Sequence, residues 1–211
     1  MKNFRLKLIP AFTLLVLAML SVFAFSYVKF PPSGIYVMQK RNPRVISYYP
    51  PVERIKDMFY SSYYDYGSGH IIDNEKLRVG GWGDEYWTLL QFDLSGLPKH
   101  ADNVEVILWS YDEEGTSTGM EVSTVTIPWD EIHGWYIELK SDYLTTMDAP
   151  PREGIFRLDI TDLYNSWQSG KQPNYGVVFK PVGVDHQFNT FYSSEYKESR
   201  IKRPSLLITI N

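Results

Sequence analysis

Short segments in which hydrophobic and polar residues alternate follow one another from about residue 54 to residue 210. The clearest one spans residues 87–94, where Thr88, Leu90 and Phe92 would face one side of a strand and Leu89 and Gln91 the other, because successive side chains of a strand alternate. Gly, Asp, Asn and Pro separate the segments, as is typical of turns between strands. Seven further strands are predicted at residues 77–79, 104–111, 122–127, 136–139, 156–160, 175–180 and 205–210. This pattern predicts two packed antiparallel sheets.

Only one segment has the spacing of a helix. Its apolar residues are Ile160, Leu163, Tyr164 and Trp167, which share one helical face. Thr161 or Asp162 can cap the start of this helix, and Gly170 can close its end. We expect a short helix that plugs one end of the sandwich, with Trp167 in a packing role. Trp129 is also assigned to packing.

The N-terminus predicts export. Lys2, Arg5 and Lys7 precede an apolar stretch without charges over residues 8–28. Small residues around Ala24 suit a signal peptidase, whereas about 20 apolar residues also suffice to span a bilayer. Residues 1–28 are therefore either a signal peptide or an N-terminal membrane anchor in helical form. In both cases the remaining chain is expected outside the cytoplasm, either secreted or held at the outer face of the membrane or cell surface.

A proline-rich segment follows over residues 29–52. It contains five of the 13 prolines, Pro31, Pro32, Pro43, Pro50 and Pro51. One interpretation is an extended spacer, because proline favours polyproline-like backbone and blocks helices. The other is a leading strand that docks on the folded domain through Ile35, Tyr36 and Val37. Residues 53–211 are predicted to form that domain.

Composition excludes several classes of protein. The 211 residues contain no cysteine, which rules out disulfide scaffolds, thiolate zinc sites and thiol nucleophiles. A formal net charge of −4 provides no basic surface for a polyanion, so nucleic acid is not an expected partner. Aromatic residues make up 16% of the chain, which supplies material both for a packed core and for a ligand-binding surface.

Several sequence motifs occur in a familiar order. Residues 77–81 (LRVGG) and 89–98 (LLQFDLSGLP) are followed by 128–131 (PWDE), 158–163 (LDITDL), 174–177 (NYGV), 191–196 (FYSSEY) and 203–206 (RPSL). Together they resemble the DNRLRE domain, also described as a disaggregatase-related carbohydrate-binding module, over roughly residues 56–210. The resemblance implies a β-sandwich of jelly-roll type on an exported, often wall-associated or polysaccharide-active protein. In that family the domain is non-catalytic and is thought to bind glycans.

Glycan binding requires flat aromatic rings, because the C–H groups of a sugar face stack on π-clouds. Trp82 lies with Tyr86 in or beside a glycine-rich turn, and Trp87 and Trp109 occupy strand faces opposite the expected core. The alternative for Trp87 and Trp109 is packing within a thick sandwich. The candidate carbohydrate-binding residues are Trp82, Tyr86, Trp87, Trp109, Trp135 and Tyr136.

Calcium is a further candidate ligand, since jelly-roll binding modules often carry a structural calcium ion. Asp57, Asp73 and Asp159 are the candidate metal ligands, but no calcium-loop spacing links them. Solvated surface acids and turn formers are the alternative interpretation of these residues.

No catalytic motif is present in the sequence. Acidic residues such as Glu131 and Glu195 are available, but nothing in the sequence pairs them across a cleft. After the predicted leader, the one dense cluster of basic residues lies near the C-terminal end, at Lys197, Arg200, Lys202 and Arg203, where it could meet an acidic polysaccharide or form a solvated loop.

The sequence therefore predicts a non-catalytic, exported carbohydrate-binding or surface-attachment module whose partner is a polysaccharide or cell-wall glycan. The alternative is a structural or adhesive surface domain that engages another protein and has no sugar site.

Overall fold

The computed structural model describes residues 31–39, 42–61, 75–111, 116–131 and 139–211. The predicted leader and most of the strand predicted at 136–139 lie outside these ranges. Within them, no helix has the length and hydrophobicity needed to cross a membrane.

The described residues form an antiparallel all-β sandwich with one short α-helix, as the sequence predicts. The strands are β1 (Ile35–Gln39), β2 (Arg44–Tyr48), β3 (Ile55–Ser61), β4 (Lys76–Gly81), β5 (Tyr86–Phe92), β6 (Asn103–Ser110), β7 (Met120–Val125), β8 (Ser141–Met147), β9 (Gly154–Asp159), β10 (Val177–Pro181), β11 (Gln187–Tyr192) and β12 (Ser205–Ile210). The helix α1 spans Thr161–Gln168. Short 3-10 turns occupy Val52–Arg54 and Arg200–Lys202.

Hydrogen bonds connect the strands in the order β1-β2-β12-β6-β11-β4-β5-β10-β7-β8, with β3 paired to β5 and β9 paired to β6. One half of this path is centred on β6, which pairs with both β12 and β9. The other half is centred on β5 and β10, which pair with each other and with β3 and β7 respectively. The two halves are linked through β11 and β4. β11 pairs with β6 only at Phe191 and Ser110, and β4 pairs with β5 only at Gly80 and Tyr86.

The main core lies between these halves. In β6, every second residue from Val104 to Ser110 is buried, as expected for a strand with one face toward the core. A single hydrophobic cluster combines Val106 and Leu108 of β6 with Leu90 of β5 and Phe179 of β10. Burial of such apolar surface at about 25 cal/mol per Å² is the main force that holds the sandwich together.

Residues 35–39 and 44–48 belong to the sandwich and do not form an extended spacer. β1 pairs with β2, and β2 pairs with β12 from Tyr48 opposite Leu206 to Arg44 opposite Ile210. Ile35 and Val37 pack on the main core. Of the two interpretations of the proline-rich segment, the structure has the docked strand. The reason is that the apolar residues between the prolines can bury one face, which a solvated spacer would leave exposed.

The helix α1 is confirmed, but the capping residue is different from the expected ones. Ile160 is the N-cap, and the carboxylate of Asp159 accepts hydrogen bonds from the Thr161 N–H at 2.8 Å and the Thr161 hydroxyl at 2.6 Å. At the other end, Gly170 has a φ of 73° and its N–H donates to the Trp167 carbonyl, while the Lys171 N–H donates to Ser166. These two bonds form a Schellman motif, which glycine permits because it lacks a Cβ.

A second glycine with left-handed backbone, Gly176, provides a test of how closely the chain before β10 approaches β5. Gly176 has a φ of 80°, and a Cβ there would overlap the carbonyl of Leu90 on β5, whereas Gly170 has similar backbone and open space around it. We expect Gly176→Ala to destabilise the protein clearly more than Gly170→Ala, for which the cost of left-handed alanine is about 1–2 kcal/mol. Denaturant unfolding of both variants measures the difference, and equal losses would contradict the close approach of these strands.

Candidate functional site

Trp82 is the exposed aromatic residue at the tip of the hairpin between β4 and β5. Its side chain is 54% exposed, and its ring packs edge-on against Phe188 of β11 at a centroid distance of 4.5 Å. The Trp82 N–H donates to the carboxylate of Asp84 at 3.0 Å, and the other oxygen of Asp84 accepts from the Ser61 hydroxyl at 3.1 Å. The tip is thus fixed by side-chain contacts, and the indole faces solvent as the sequence analysis allowed.

Tyr86 is not part of an exposed surface. It is 7% exposed and forms a small core cluster with Phe59 and Phe188, whose rings lie 5.9 and 5.3 Å from the ring of Tyr86. The prediction that Tyr86 contacts a glycan is therefore wrong. The reason is tertiary: the outer face of β11 at Phe188 is covered by the ends of β3 and β5, and Tyr86 fills the space between them.

Trp87 is half-buried, and its ring already has protein partners. The Lys180 ammonium lies 4.6 Å from the ring centroid, and the indole N–H donates to Glu85 at 2.8 Å. Trp87 also packs against a second hydrophobic cluster formed by Leu89, Val125, Trp129 and Val178. These contacts favour the packing interpretation of Trp87, because a sugar would have to displace Lys180 to reach this face of the ring.

Trp109 is half-buried on the outer face of β6, where it stands opposite Ile155 of the neighbouring strand β9. Ile155 is 40% exposed, so the surface beside Trp109 is apolar. Trp135 and Tyr136 lie outside the described residues. Trp129, which was assigned to packing, is 4% exposed.

Three carboxylates meet where β3, the segment after β7 and the segment after β11 come together. Asp57, Glu131 and Glu195 each present an oxygen, and these oxygens all lie within 4.8 Å of one another. We call these residues the acidic cluster. Asp57 is the buried member, with 6% of its surface exposed, while Glu131 is exposed and Glu195 is intermediate.

Asp57 ties the three segments together by hydrogen bonds. Its two carboxylate oxygens accept from the Ser194 N–H and the Ser194 hydroxyl, both at 2.7 Å, and its own N–H donates to Glu131 at 2.9 Å. Ser194 lies 137 positions from Asp57 in the sequence. Since a buried carboxylate without partners is very unfavourable, these bonds are what makes the burial of Asp57 tolerable.

The environment of Asp57 changes its acidity. Burial and, secondarily, the nearby carboxylate of Glu195 raise the pKa of Asp57 to about 7, although the hydrogen bonds from Ser194 act in the opposite direction. Burial also raises the pKa of Glu131, while its hydrogen bond from the Asp57 N–H and the charge of Lys56 act in the opposite direction. Asp57 therefore keeps its proton to a much higher pH than an ordinary aspartate does.

Local sequence explains how the acidic cluster is positioned. Asp57 occupies the face of β3 that also carries Ile55 and Phe59, so the strand alternation turns its carboxylate inward. Glu131 follows Trp129, whose indole N–H donates to the Tyr175 carbonyl at 2.8 Å and anchors that segment. The sequence does contain a signal for Asp57, because the alternation of β3 places this acidic residue on the same face as Ile55 and Phe59. Its pairing with Glu131 and Glu195 was not predictable, because strand alternation does not show which distant segments approach.

The other candidate metal ligands have different places. The Asp159 carboxylate accepts hydrogen bonds from Thr161 at the start of α1 and is not a member of the acidic cluster. Asp73 lies outside the described residues. Of the two predicted ligands that the structure describes, only Asp57 belongs to a group of carboxylates.

A row of tyrosines was not predicted from the sequence. Tyr192 of β11 lies between Tyr111 and Tyr196, with ring centroids 4.6 and 4.1 Å away. The Lys76 ammonium is 5.6 Å from the ring of Tyr111, and the Lys202 ammonium is 4.9 Å from the ring of Tyr192. These three rings stack mainly on one another. They therefore tie the end of β11 to the segment 196–203, which precedes β12.

Comparison of the chain with protein-family models gives no match, and comparison with curated proteins gives none either. The resemblance to the DNRLRE domain therefore stays a prediction from its sequence motifs. The structure gives two of those motifs a physical role. In the Ser193-Ser194-Glu195 motif Ser194 binds the buried Asp57, and in the segment 89–98 the Asp93 carboxylate binds Arg54 at 2.9 Å.

The raised pKa of Asp57 predicts a pH dependence of stability. An aspartate in the unfolded chain titrates near pH 4, whereas Asp57 in the folded protein titrates near pH 7. The folded state binds this proton more tightly than the unfolded state does. Protonation of Asp57 therefore makes its full contribution to the free energy of unfolding below about pH 4, and this contribution is lost as the pH rises through about 7. We expect Asp57→Asn, which resembles the protonated acid, to remove this decline when measured without divalent cations.

The measurement is the melting temperature of both proteins between pH 4 and pH 8 in the presence of a chelator. Relative to the native chain, Asp57→Asn is expected to gain at least about 3 °C between pH 5 and pH 8. A difference between the two proteins that is independent of pH would contradict the raised pKa.

Proposed function

We propose that this protein is a non-catalytic, exported carbohydrate-binding or cell-surface attachment module, and that Trp82 makes the main contact with the glycan. The observation that carries the proposal is the 54% exposure of a tryptophan whose position is fixed by the surrounding fold. The exposed face of this ring is free to stack on the C–H groups of a sugar face.

The fixed position of Trp82 favours binding. Phe188 supports the indole from one side, Asp84 holds its backbone N–H, and the Gly83 N–H donates to the Val184 carbonyl at 2.7 Å. A ring that is already ordered loses little conformational entropy when a ligand binds. The site is thus suited to a shallow contact with one or a few sugar units.

Polar groups for the sugar hydroxyls are available on the adjacent loop. The hydrogen bond from Gly83 to Val184 places the loop 182–186 beside the hairpin tip. Asp185 and His186 in this loop have side chains that are 99% and 75% exposed. Val182, at the start of the loop, is 64% exposed and would widen the apolar contact area.

The experiment is a screen of glycans and cell-wall polysaccharides with the native protein, followed by titration of any ligand with Trp82→Ala. We expect the variant to bind about tenfold more weakly, because a ring contact of this kind contributes about 1–1.5 kcal/mol. Trp82→Phe should restore part of the affinity. The matched control is Tyr143→Ala on β8, which removes an aromatic residue that is 64% exposed elsewhere on the surface.

Binding that is unchanged in Trp82→Ala would contradict the role of this residue, and the absence of any glycan signal would contradict the proposal itself. The recovered polysaccharide should keep its length. Shortening of the polymer during incubation would show that the protein is an enzyme and not a binding module.

One observation favours the alternative function, a surface domain that binds another protein. β8 has a single strand neighbour, β7, among the described residues, and its exposed side chains include Tyr143 and Leu144. A strand edge with apolar side chains is a common site for pairing with a strand of a partner. This alternative predicts no glycan binding in the screen, whereas loss of glycan binding in Tyr143→Ala but not in Trp82→Ala would move the sugar contact to β8.

Calcium is also part of the proposal, and the acidic cluster is the place in the described structure where it fits best. Calcium binds six to eight oxygens at about 2.3–2.6 Å, so ligand oxygens on opposite sides of the ion are about 4.8 Å apart. The oxygens of Asp57, Glu131 and Glu195 satisfy this limit. A bound calcium ion would offset the mutual repulsion of these carboxylates and would thereby stabilise the junction of the three segments.

A thermal-shift experiment tests the calcium proposal. Because a proton and calcium would compete for the same carboxylates, we expect added calcium to raise the melting temperature more at pH 8 than at pH 5. Glu131→Gln, which removes an exposed ligand and leaves the core unchanged, should weaken the effect. A melting temperature at pH 8 that is the same with calcium and with a chelator would exclude calcium here, whatever the result for Asp57→Asn.

A further inference from the structure

The surface around Trp82 is formed by two neighbouring parts of the chain that are rich in acidic residues. These parts are the hairpin tip, residues 82–85, and the loop 182–186, which the hydrogen bond from Gly83 to Val184 holds together. Neither part contains a lysine or an arginine, and their acidic residues are Asp84, Glu85 and Asp185. A ligand that stacks on Trp82 therefore meets carboxylates from both sides of this junction.

Asp185 has the most accessible of these three carboxylates. Asp84 and Glu85 already accept hydrogen bonds within the hairpin, from the Trp82 N–H at 3.0 Å and from the Trp87 indole at 2.8 Å. The side chain of Asp185 is 99% exposed and accepts no hydrogen bond from the described residues. Its charge is thus available to a ligand.

The loop 182–186 holds Asp185 in a fixed place. The N–H groups of its first two residues donate to the segment 118–119, both at 2.9 Å, and the carbonyl of its last residue, His186, accepts from the Thr116 N–H at 3.3 Å. A ring nitrogen of His186 lies 3.9 Å from the Asp185 carboxylate. The loop is therefore attached to the sandwich on both sides of Asp185, while the Asp185 side chain extends into solvent.

Asp185 is close enough to Trp82 for one ligand to contact both residues. The Gly83 N–H donates to the Val184 carbonyl at 2.7 Å, and Trp82 and Asp185 are the adjacent residues in their segments. Because consecutive Cα atoms are about 3.8 Å apart, these connections limit the distance between the Cα atoms of Trp82 and Asp185 to about 14 Å. A short oligosaccharide stacked on the indole can therefore reach the carboxylate.

The cations on the adjoining strands lie over other aromatic rings. The Arg78 guanidinium on β4 is 5.7 Å from the centroid of the Phe59 ring, and the Lys180 ammonium on β10 is 4.6 Å from the centroid of the Trp87 ring. Neither forms an ion pair with Asp185. The negative charge of Asp185 is therefore not neutralised by a lysine or arginine of the described chain.

An exposed indole and a free carboxylate together favour a cationic ligand. The face of an indole attracts a cation, because the π-system concentrates negative charge there. A carboxylate close to the ring attracts the same cation and repels an anion. A sugar with a protonated amine offers a C–H face to the indole and a positive charge to the carboxylate. A neutral sugar offers only the first of these contacts, and a uronic acid is repelled.

We infer that the Trp82 site selects glycans built from amino sugars with a free amine, and that Asp185 determines this preference. The inference rests on the proposed glycan contact at Trp82 and adds the class of sugar to it. Acidic glycans are the class that the site disfavours most.

The test compares four β-1,4-linked oligomers of equal length, made of glucose, N-acetylglucosamine, glucosamine or glucuronic acid. They share a backbone linkage and differ in charge. Their affinities for the native protein are measured by calorimetric titration near neutral pH and at low salt. We expect the glucosamine oligomer to bind about three- to tenfold more tightly than the glucose oligomer, and the glucuronic acid oligomer to bind most weakly. Added salt should reduce this preference, because it screens exposed charges.

Variants of Asp185 separate its role from that of the whole protein. Asp185→Asn keeps the size of the side chain and removes its charge. It should lower the affinity for the glucosamine oligomer about threefold and leave the affinity for the glucose oligomer unchanged. Asp185→Lys should make the glucuronic acid oligomer a better ligand than the glucosamine oligomer. The matched control is Asp142→Asn, which removes the same charge from an exposed position on β8 and should change none of these affinities.

Equal affinity for the glucose and glucosamine oligomers, weakened for both in Trp82→Ala, would overturn the inference and leave the proposed glycan contact in place. A preference for glucosamine that survives Asp185→Asn, or that Asp142→Asn lowers to the same extent, would also overturn it, because the net negative charge of the protein would then be the cause. If another glycan binds through Trp82 and none of these oligomers does, the inference fails and the proposed function stands. If no glycan binds at all, both fail.

Discussion

The burial of one carboxylate determines how three distant parts of this chain meet. Asp57 is turned inward by the alternation of β3, and a charge in that position requires partners. Ser194 supplies two donors, one from its backbone and one from its hydroxyl. Because Ser194 follows β11 and Glu131 follows β7, the same hydrogen bonds fix the ends of both strands relative to β3. The acidity of the acidic cluster is a consequence of this arrangement.

The aromatic residues discussed above form three groups, which differ in how far their rings are buried and in what their rings contact. Tyr86, Phe59 and Phe188 fill a small core, and Trp129 anchors the segment that carries Glu131. Trp87 and the tyrosine row have cations on their rings and so are stabilised by the protein itself. Trp82 differs from both groups, because its edge contact with Phe188 holds the ring without covering it. For that reason the proposed glycan contact is assigned to Trp82.

The two ends of the sandwich have different chemistry. One end is closed by α1 and by the Schellman motif at Gly170, and the chain reverses there between β9 and β10. The other end collects Gly34, Tyr49 and the 3-10 turn Arg200–Lys202, because the Arg200 guanidinium donates to the Tyr49 carbonyl and the Tyr49 N–H donates to the Gly34 carbonyl.

The sequence by itself determined the all-β class, the core faces of strands such as β5 and β6, and the position of α1, because these follow from local periodicity and from glycine at a helix end. It left the segment 35–48 undecided, since prolines and apolar residues there support opposite interpretations. The exposure of Trp82, the burial of Tyr86 and the meeting of Asp57 with Glu131 and Glu195 were decided only by the tertiary structure. Each depends on which strands approach across more than 20 positions of sequence, and the alternation within one strand contains no information about its distant neighbours.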